Sequence, residues 1–403
     1  MSRDRLLEIL RYLRIVDSSQ QKKKGEEGYD PIFKVRPLVD HLNAVLSEYY
    51  KPSRYLSIDE MLIGTRCRVS FLQYIPKKPT RFGIKVWVNS EAETGYVLCF
   101  QVYTGTVASA GKSAGLGYRV VMDLMENYRM KGHCLFIDNF YTSPMLLRDL
   151  LCAGTYCTGT VRANRKDFPK EVILIESSLP SGSMRFATSK LLGDLGKMVA
   201  VWWRDRRDVL ALSTVHNTSA TTVLKRPKGD REKRPLPCPM MTTIYTWVGL
   251  TSDQNLTYYS MTTRKTLKWW KVFWRLVDIC IINSWIIFHR NNPQSPIKVQ
   301  RLFCLKLIEE LVQPLLDLRA SPDCPAHLQD ERTRVTLSTE RRLNGKHFAY
   351  KNPKRGRCGV CLQKTNPTTG KKKDTKNQNF RRKCKVFLCV GQCFEDFHTK
   401  SSY

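Results

Sequence analysis

Acidic residues are scarce in this sequence: 36 Asp and Glu stand against 67 Lys and Arg, a formal charge of +31. That deficit disfavours a cationic partner and favours a polyanionic one, most often nucleic acid. The alternative is a basic soluble protein without such a partner. No internal repeat is present, which sets aside a repeat architecture. The apolar stretch LKWWKVFWRLVDICIINSWIIF is broken by Lys268, Lys271, Arg275 and Asp278. A bilayer tolerates such charges poorly, so it reads as a buried helix and no membrane partner is expected. AGKSAGLGY lacks the earlier glycine of a phosphate-binding loop and reads as a loop between strand and helix. The opening MSRDRLLEILRYLRIVD carries charges throughout an amphipathic pattern and does not read as a signal peptide.

What is present describes a globular chain. Apolar residues make up 42% and aromatics 10%, too many for a disordered tail. The 403 residues suffice for two or three domains. Residues 1–54 read as helices. YLSIDEMLI, RFGIKVWVNS and TGYVLCFQVYTG then read as strands, GLGYRVVMDLMENYRM as a helix and HCLFIDNF as a strand. SPMLLRDLLCAG predicts a helix with Ser143 as N-cap, Pro144 in the first turn and Gly154 at the end. This order predicts a mixed α/β sheet. GKMVAVWWRDRRDVLALSTVH predicts a β-hairpin with RDRRD at its tip, and KRPKGDREKRP a basic surface segment. Trp202, Trp203, Trp269, Trp270 and Trp274 sit in apolar runs, which favours core packing over stacking on DNA bases.

Asp59 and Asp138 fall at or near strand ends. If those strands are neighbours, both carboxylates converge on one sheet edge, where hard oxygen donors suit Mg²⁺. Taken alone, a strand-end Asp is more often a turn residue. The surrounding blocks decide otherwise. YLSIDEMLIGTRCR, KKPTRFGIKVWVNSEAETGYVLCFQVYTG, GHCLFIDNFYTSPMLLRDLLCAGTYCTGTVRANRKDFP, VWWRDRRDVLALSTVH, RKTLKWWKVFWRLVDICIINSWIIF and CKVFLCVGQCFEDFHTK resemble the piggyBac transposase family, in the family's order and over nearly the whole chain. The resemblance implies a ribonuclease-H-like core (55–171, closing with 236–262), a β-rich insertion (172–235) and flanking helical dimerisation and DNA-binding segments (1–54 and 263–318). A linker (319–350) and a Cys-rich zinc-binding domain (351–403) complete it. It further implies cut-and-paste transposition of double-stranded DNA at TTAA sites, catalytic Mg²⁺, a homodimer and a nuclear location. The start resembles a region well inside family members, so part of the helical domain is expected to be missing. Such a loss would expose apolar helix faces and favour aggregation.

The family's first two catalytic Asp match Asp59 and Asp138. The third belongs to a motif Y-N-x-x-M-G-G-V-D-x-x-D-Q. Its closing D-Q matches Asp253 and Gln254, and that later Asp also supports the family's site. The third ligand itself falls on Leu250, which cannot bind Mg²⁺, so the site is expected to hold two divalent ions poorly. The stretch MTTIYTWVGLT carries a further signal. Read from the third base of each codon, Met241 into Thr242 must encode Asp, and Trp247 into Val248 must encode Gly. The other positions permit D-Y-N-x-x-M-G-G-V-D, with the final Asp from Leu250 into Thr251.

Of the 14 Cys, five lie between Cys358 and Cys393. Without secretion, such clustering indicates metal rather than disulfides. Cys358, Cys361, Cys384, Cys389, Cys393 and His398 have spacings that suit tetrahedral Zn²⁺. The family's tail is a cross-brace finger holding two zincs. Its further C-x-x-C would place a Cys at Arg381, where none stands, so one site is short of a ligand. His347 is a possible substitute or an exposed bystander. Three readings stay open: a Mg²⁺-dependent transposase using Asp59 and Asp138 with Asp253 as substitute ligand, a domesticated DNA binder, and a decayed copy.

We hypothesise that compensating frame shifts, or a misassigned reading frame, produced MTTIYTWVGLT. Sequencing the coding DNA across codons 241–251 is expected to return the permitted third bases. Bases that forbid the shifted motif would end the idea.

Overall fold

The computed structural model of the chain describes residues 3–76, 81–105, 115–173, 179–189, 196–205, 207–225, 232–239, 268–320, 350–365, 370, 372–381 and 384–400. Contacts divide the chain into two units, Tyr12–Cys304 and Met1–Arg11 with Leu305–Tyr403. Helices α1 (Arg3–Tyr12) and α2 (Arg36–Glu48) come first. Strands β1 (Tyr55–Gly64), β2 (Leu72–Tyr74), β3 (Phe82–Glu91) and β4 (Val97–Val102) follow. Then come α3 (Leu116–Leu124), β5 (Cys134–Ile137), α4 (Pro144–Cys152) and β6 (Tyr156–Thr160). The predicted mixed α/β order is therefore present.

β1 and β3 pair antiparallel from Leu56 opposite Glu91 to Gly64 opposite Gly83. β2 and β4 both pair the far side of β3, at opposite ends. On its other side β1 pairs β5 in parallel, and β5 pairs β6 in parallel. Leu56, Ile58, Met61 and Ile63 of β1 are buried, because the sheet is covered on both faces where parallel strands meet. α4 forms where its caps predict: Ser143 Oγ accepts from Leu146 N at 3.3 Å, and Gly154 follows the helix at φ +64°.

The segment expected as a β-rich insertion supplies β7 (Met184–Ser189), β8 (Met198–Arg204) and β9 (Asp208–Ser213). The β8–β9 hairpin turns where RDRRD predicts. β9 also pairs β6, so these strands continue the same nine-stranded sheet. Of the basic run KRPKGDREKRP, read as a basic surface segment, residues 226–231 lie outside the described residues, and its two ends lie in strands. Lys225 closes β10 (Ala220–Lys225) and β11 (Glu232–Pro237) pairs it antiparallel. The β-branched ATTV segment before the run favours an extended partner.

α5 (Lys268–Asn291) places Val272, Leu276, Ile279, Ile282 and Ile286 on one buried face. Trp269–Asn291 is long and apolar enough to cross a membrane by length and composition. Its buried face packs into the core of the sheet unit, with Arg275 and Asp278 buried alongside. Trp202, Trp203 and Trp270 are buried as packing predicts. Two asparagines cover the outer edge of β4. Asn283 from α5 receives Val97 N at 3.0 Å and donates to Val97 O at 2.8 Å. Asn43 from α2 does the same for Phe100, at 2.8 and 2.9 Å. Side-chain amides thus replace the missing strand partner.

The other unit contains α1 up to Arg11, the part of α6 (Gln300–Ala320) from Leu305 onward, and the tail. In the tail, β12 (Tyr350–Arg357), β13 (Lys376–Arg381) and β14 (Val386–Phe387) form an antiparallel sheet, followed by α7 (Gln392–Thr399).

Glu91 ties the first elements together. It is fully buried, and accepts from Thr94 Oγ1 at 2.5 Å, Ser53 N at 2.6 Å and the Tyr50 hydroxyl. Arg290 of α5 donates to that hydroxyl and covers the Tyr50 ring. Burial alone would raise the Glu91 pKa, but the donors outweigh it and hold the carboxyl below its ordinary value. Its stabilising contribution is therefore present above the ordinary carboxyl pKa and lost as pH falls through the lower folded value. Glu91→Gln turns one acceptor into a donor facing other donors. Denaturant melts at neutral pH are expected to show a loss of about 1–3 kcal/mol. That difference should shrink toward acid pH.

Candidate active site and metal centre

Ile58 opposite Ile137 is the last parallel pair between β1 and β5. Asp59 and Asp138 are the next residues on those two neighbouring strands. β1 continues beyond Asp59, whereas β5 stops and the chain turns. The turn is built on Asp138. Its Oδ1 accepts from Phe140 N at 2.7 Å, and its carbonyl accepts from Thr142 N at 3.1 Å and Thr142 Oγ1 at 2.8 Å. Gly159 of β6 makes room: a Cβ there would lie 2.3 Å from Thr142 Oγ1 and 2.5 Å from Ile137 O.

Burial pushes the Asp138 carboxyl above its ordinary pKa, and the Glu60 carboxylate adds to the rise. Phe140 N–H, Lys85 and Arg162 oppose it incompletely. Tyr141, only 2% exposed, has a hydroxyl without a hydrogen-bond partner among the described residues. Burial, then Glu60, Asp59 and Asp138, raise its pKa far above the usual phenol value. The charges of three carboxylates thus reach this phenol. Hard carboxylate oxygens suit a divalent cation. Among the described residues, however, Asp59, Glu60 and Asp138 do not form a group close enough to share one ion.

Cations edge the same turn. Lys85 Nζ lies 4.6 Å from the Phe140 ring centroid. Arg162 donates to Asn139 Oδ1 at 3.0 Å, and Arg165 to the carbonyls of Asn139 and Phe140. Beside them opens a cavity of about 470 Å³ lined by Tyr118, Phe140, Tyr141, Arg162, Arg165 and Lys166.

In the tail, Cys358, Cys361, Cys389 and Cys393 bring their Sγ atoms within 4.8 Å of one another. Cys361 lies 3.8 Å from Cys389 and 3.5 Å from Cys393. A tetrahedron of Zn–S bonds of about 2.3 Å has edges of about 3.8 Å, so the four thiols fit Zn²⁺. Burial raises the Cys358 pKa, but hydrogen bonds from Cys361 and Cys389 outweigh it and favour the thiolate. Burial and these neighbours push Cys389 to about 11 and Cys393 to about 12. Without a cation the cluster cannot carry four negative charges; a metal would displace the remaining protons. Buried Asp396 anchors α7 to the knuckle through Lys364 at 2.5 Å, and pairs with Lys400 at its own helix end at 2.8 Å. Cys384 and His398 stand together as a separate pair, Sγ to Nε2 3.6 Å.

A family model described as Transposase IS4 matches residues 1–285. The chain belongs to the piggyBac-type transposases. It is 26% identical over 413 aligned positions to human PiggyBac transposable element-derived protein 3, covering 99% of this chain and 64% of that protein. Human PiggyBac transposable element-derived protein 5 is 23% identical over 346 positions, covering 80% of this chain and 61% of that one. The chain thus spans less than two thirds of the length of these curated relatives. Among solved structures, a piggyBac transposase in a synaptic complex with hairpin DNA superposes with TM-score 0.68 at 26% identity, covering 82% of this chain and 67% of that one.

For a piggyBac-type chain, the described residues bring together Asp59 and Asp138, and separately four of the six tail donors. Asp253, Leu250 and His347 lie outside the described residues. Sequence reasoning missed Glu60. Strand alternation assigns it to the face opposite Asp59, yet its charge reaches Asp138 at the strand end. The adjacent Asp-Glu of SIDE was the available signal. Gly159→Ala is expected to push the Thr142 hydroxyl off β6 and to destabilise the sheet unit by about 1–3 kcal/mol. A thermal melt checks this, and an unchanged melting temperature would show that the turn adapts.

Proposed function

We propose that this chain is a piggyBac transposase-derived DNA-binding protein that has lost catalysis. The observation that carries the reading is the shared register of Asp59 and Asp138 beyond Ile58 and Ile137, edged by Lys85, Arg162 and Arg165. The order β4–β3–β1–β5–β6 supports a ribonuclease-H-like core. In such a core these two carboxylates would hold Mg²⁺, whose chemistry would be to activate a water or 3′-hydroxyl and to stabilise the leaving oxygen. The cations would contact the phosphodiester backbone. Leu250 at the third position removes a ligand, so metal is bound weakly and the strand is held without being cut.

The formal charge of +31 and the relative solved with hairpin DNA support double-stranded DNA, including transposon ends and TTAA targets, as the partner. Cys358, Cys361, Cys389 and Cys393 hold a zinc that folds the tail as a zinc finger. A homodimer acting in the nucleus fits the family. A second reading, an active transposase, draws on one observation: Glu60 lies close enough to Asp138 to raise its pKa and could replace the lost ligand, as could Asp253. A decayed copy without function is the remaining alternative.

Incubation with a TTAA-flanked element end and Mg²⁺ separates them. No hairpin product above an Asp138→Asn control is expected. Product above that control would establish the active enzyme and overturn the lost-catalysis reading. Binding to element ends over random DNA, weakening steeply with salt, is expected of the DNA binder. Equal, weak binding to both would leave the decayed copy.

A further inference from the structure

One tryptophan departs from the core packing expected of the apolar runs. Trp269, in the first turn of α5, is only half-buried. Its ring stacks on Trp270 at 4.1 Å with 24° between the planes. Trp270 in turn stacks on Trp274 at 6.0 Å, again at 24°. Three indoles thus form a column, and Trp269 is its end.

Trp269 also lines a cavity of about 320 Å³ between the loop before α2, the loop joining β1 to β2, and α5. That is the small end of ligand pockets, which span about 300–1,000 Å³. Its floor is apolar, with Phe71 and Ile84 buried. Two cations line it as well, Lys34 and the exposed Arg68. Asp30 of the same loop is engaged by Arg36 at 2.7 Å. Gln21 adds a side-chain amide, which offers both a donor and an acceptor. Lys22, Lys23 and Lys24, all exposed, follow it in the chain.

These features suit a flat ring that carries an anion and a polar edge. A nucleotide has all three, and any base can stack on an indole. A peptide with acidic and aliphatic side chains would satisfy the cations and the floor without extending the indole column. The position also fits. Ile84 pairs with Ile63, four residues beyond Asp59 on β1 and on the same face of the sheet. At about 3.4 Å per strand residue the cavity lies about 14 Å along β1 from Asp59. That is roughly four nucleotides of a stacked strand at about 3.4 Å each.

We propose that this cavity takes one unpaired base of a bound DNA strand, stacked as the next ring on Trp269, with its phosphate at Lys34 and Arg68. The inference rests on the DNA-binding reading above. An intact duplex keeps its bases paired and stacked, so the cavity favours DNA with a single-stranded end over blunt duplex.

Binding of the full-length chain to a duplex with a short thymidine tail, against the same duplex made blunt, tests this. The tail is expected to tighten binding by about 5- to 150-fold, the range of a single base–aromatic stack. Trp269→Ala is expected to remove that preference and Trp269→Phe to keep most of it. Arg68→Gln is expected to weaken binding of the tailed duplex and to lower its salt slope by about one. In case Trp269→Ala fails to fold, the unaltered chain supplies a second readout: 2-aminopurine placed in the tail is expected to lose fluorescence on binding. Equal affinity for blunt and tailed duplex, or an unquenched 2-aminopurine, would overturn the proposal while leaving the DNA-binding reading intact. Displacement of the tail by polyglutamate as readily as by polythymidylate would also overturn it, because charge alone would then explain the preference. No binding to either duplex would overturn both readings.

Discussion

The parallel pairing of β1 with β5 is the constraint on which the candidate active site depends. Four residues of each strand lock together, from Tyr55 with Cys134 to Ile58 with Ile137. The next residue on each strand is an Asp. A slip of one residue would separate them, and would also turn the buried Leu56 and Ile58 to the wrong face. The apolar side chains therefore fix the register, and the register fixes the carboxylates. The position of the candidate site is specified here by apolar residues outside it. The antiparallel run against β3 stiffens β1 beyond Asp59, so one carboxylate stands on a strand interior and the other on a turn. Gly159 and Thr142 then hold that turn against β6.

The cost of the arrangement is electrostatic. The chain is strongly basic, yet Asp138 remains above its ordinary pKa despite Lys85 and Arg162 nearby. The reason is distribution. These cations also engage the Phe140 ring and Asn139, while burial and Glu60 act directly on the carboxyl. Glu91 presents the contrast. It is more deeply buried, but three donors converge on it and hold its pKa down. One carboxylate is satisfied by its donors and structural; the other is held above its ordinary pKa, the kind of environment that marks a candidate functional group.

Much of this was legible in the sequence, for identifiable reasons. Ser143, Pro144 and Gly154 mark α4 because capping is local chemistry. The β8–β9 hairpin follows from its alternation and polar tip. Asp59 and Asp138 were found because they sit in distinctive blocks, and their adjacency required only that two strands be neighbours. The rest depends on contacts distant in sequence. Nothing local predicts that β9 pairs β6, or that Asn43 and Asn283 seal the edge of β4. Glu60 was hidden by a rule that holds within a strand and fails beside its end, where Asp138 has already left the sheet. The tail's spacing marked candidate metal ligands but not how six donors divide into four and two, since that depends on how β13, β14 and α7 fold back.

The two candidate centres differ in how their charge is met. In the tail, the buried Arg381 guanidinium lies on the Phe394 ring, so an aromatic face offsets its burial. On the lost-catalysis reading, Leu250 at the third position brings neither charge nor oxygen. Asp138, which burial and Glu60 already hold above its ordinary pKa, then gains no help in ionising. The placing of Lys85, Arg162 and Arg165 beside the Asp138 turn is easier to understand if those cations also serve a polyanion. Bound DNA would draw on the cations and leave the carboxylates still more dependent on metal. DNA and divalent ion would then bind cooperatively even without cleavage, and this coupling distinguishes a retained binding surface from simple decay.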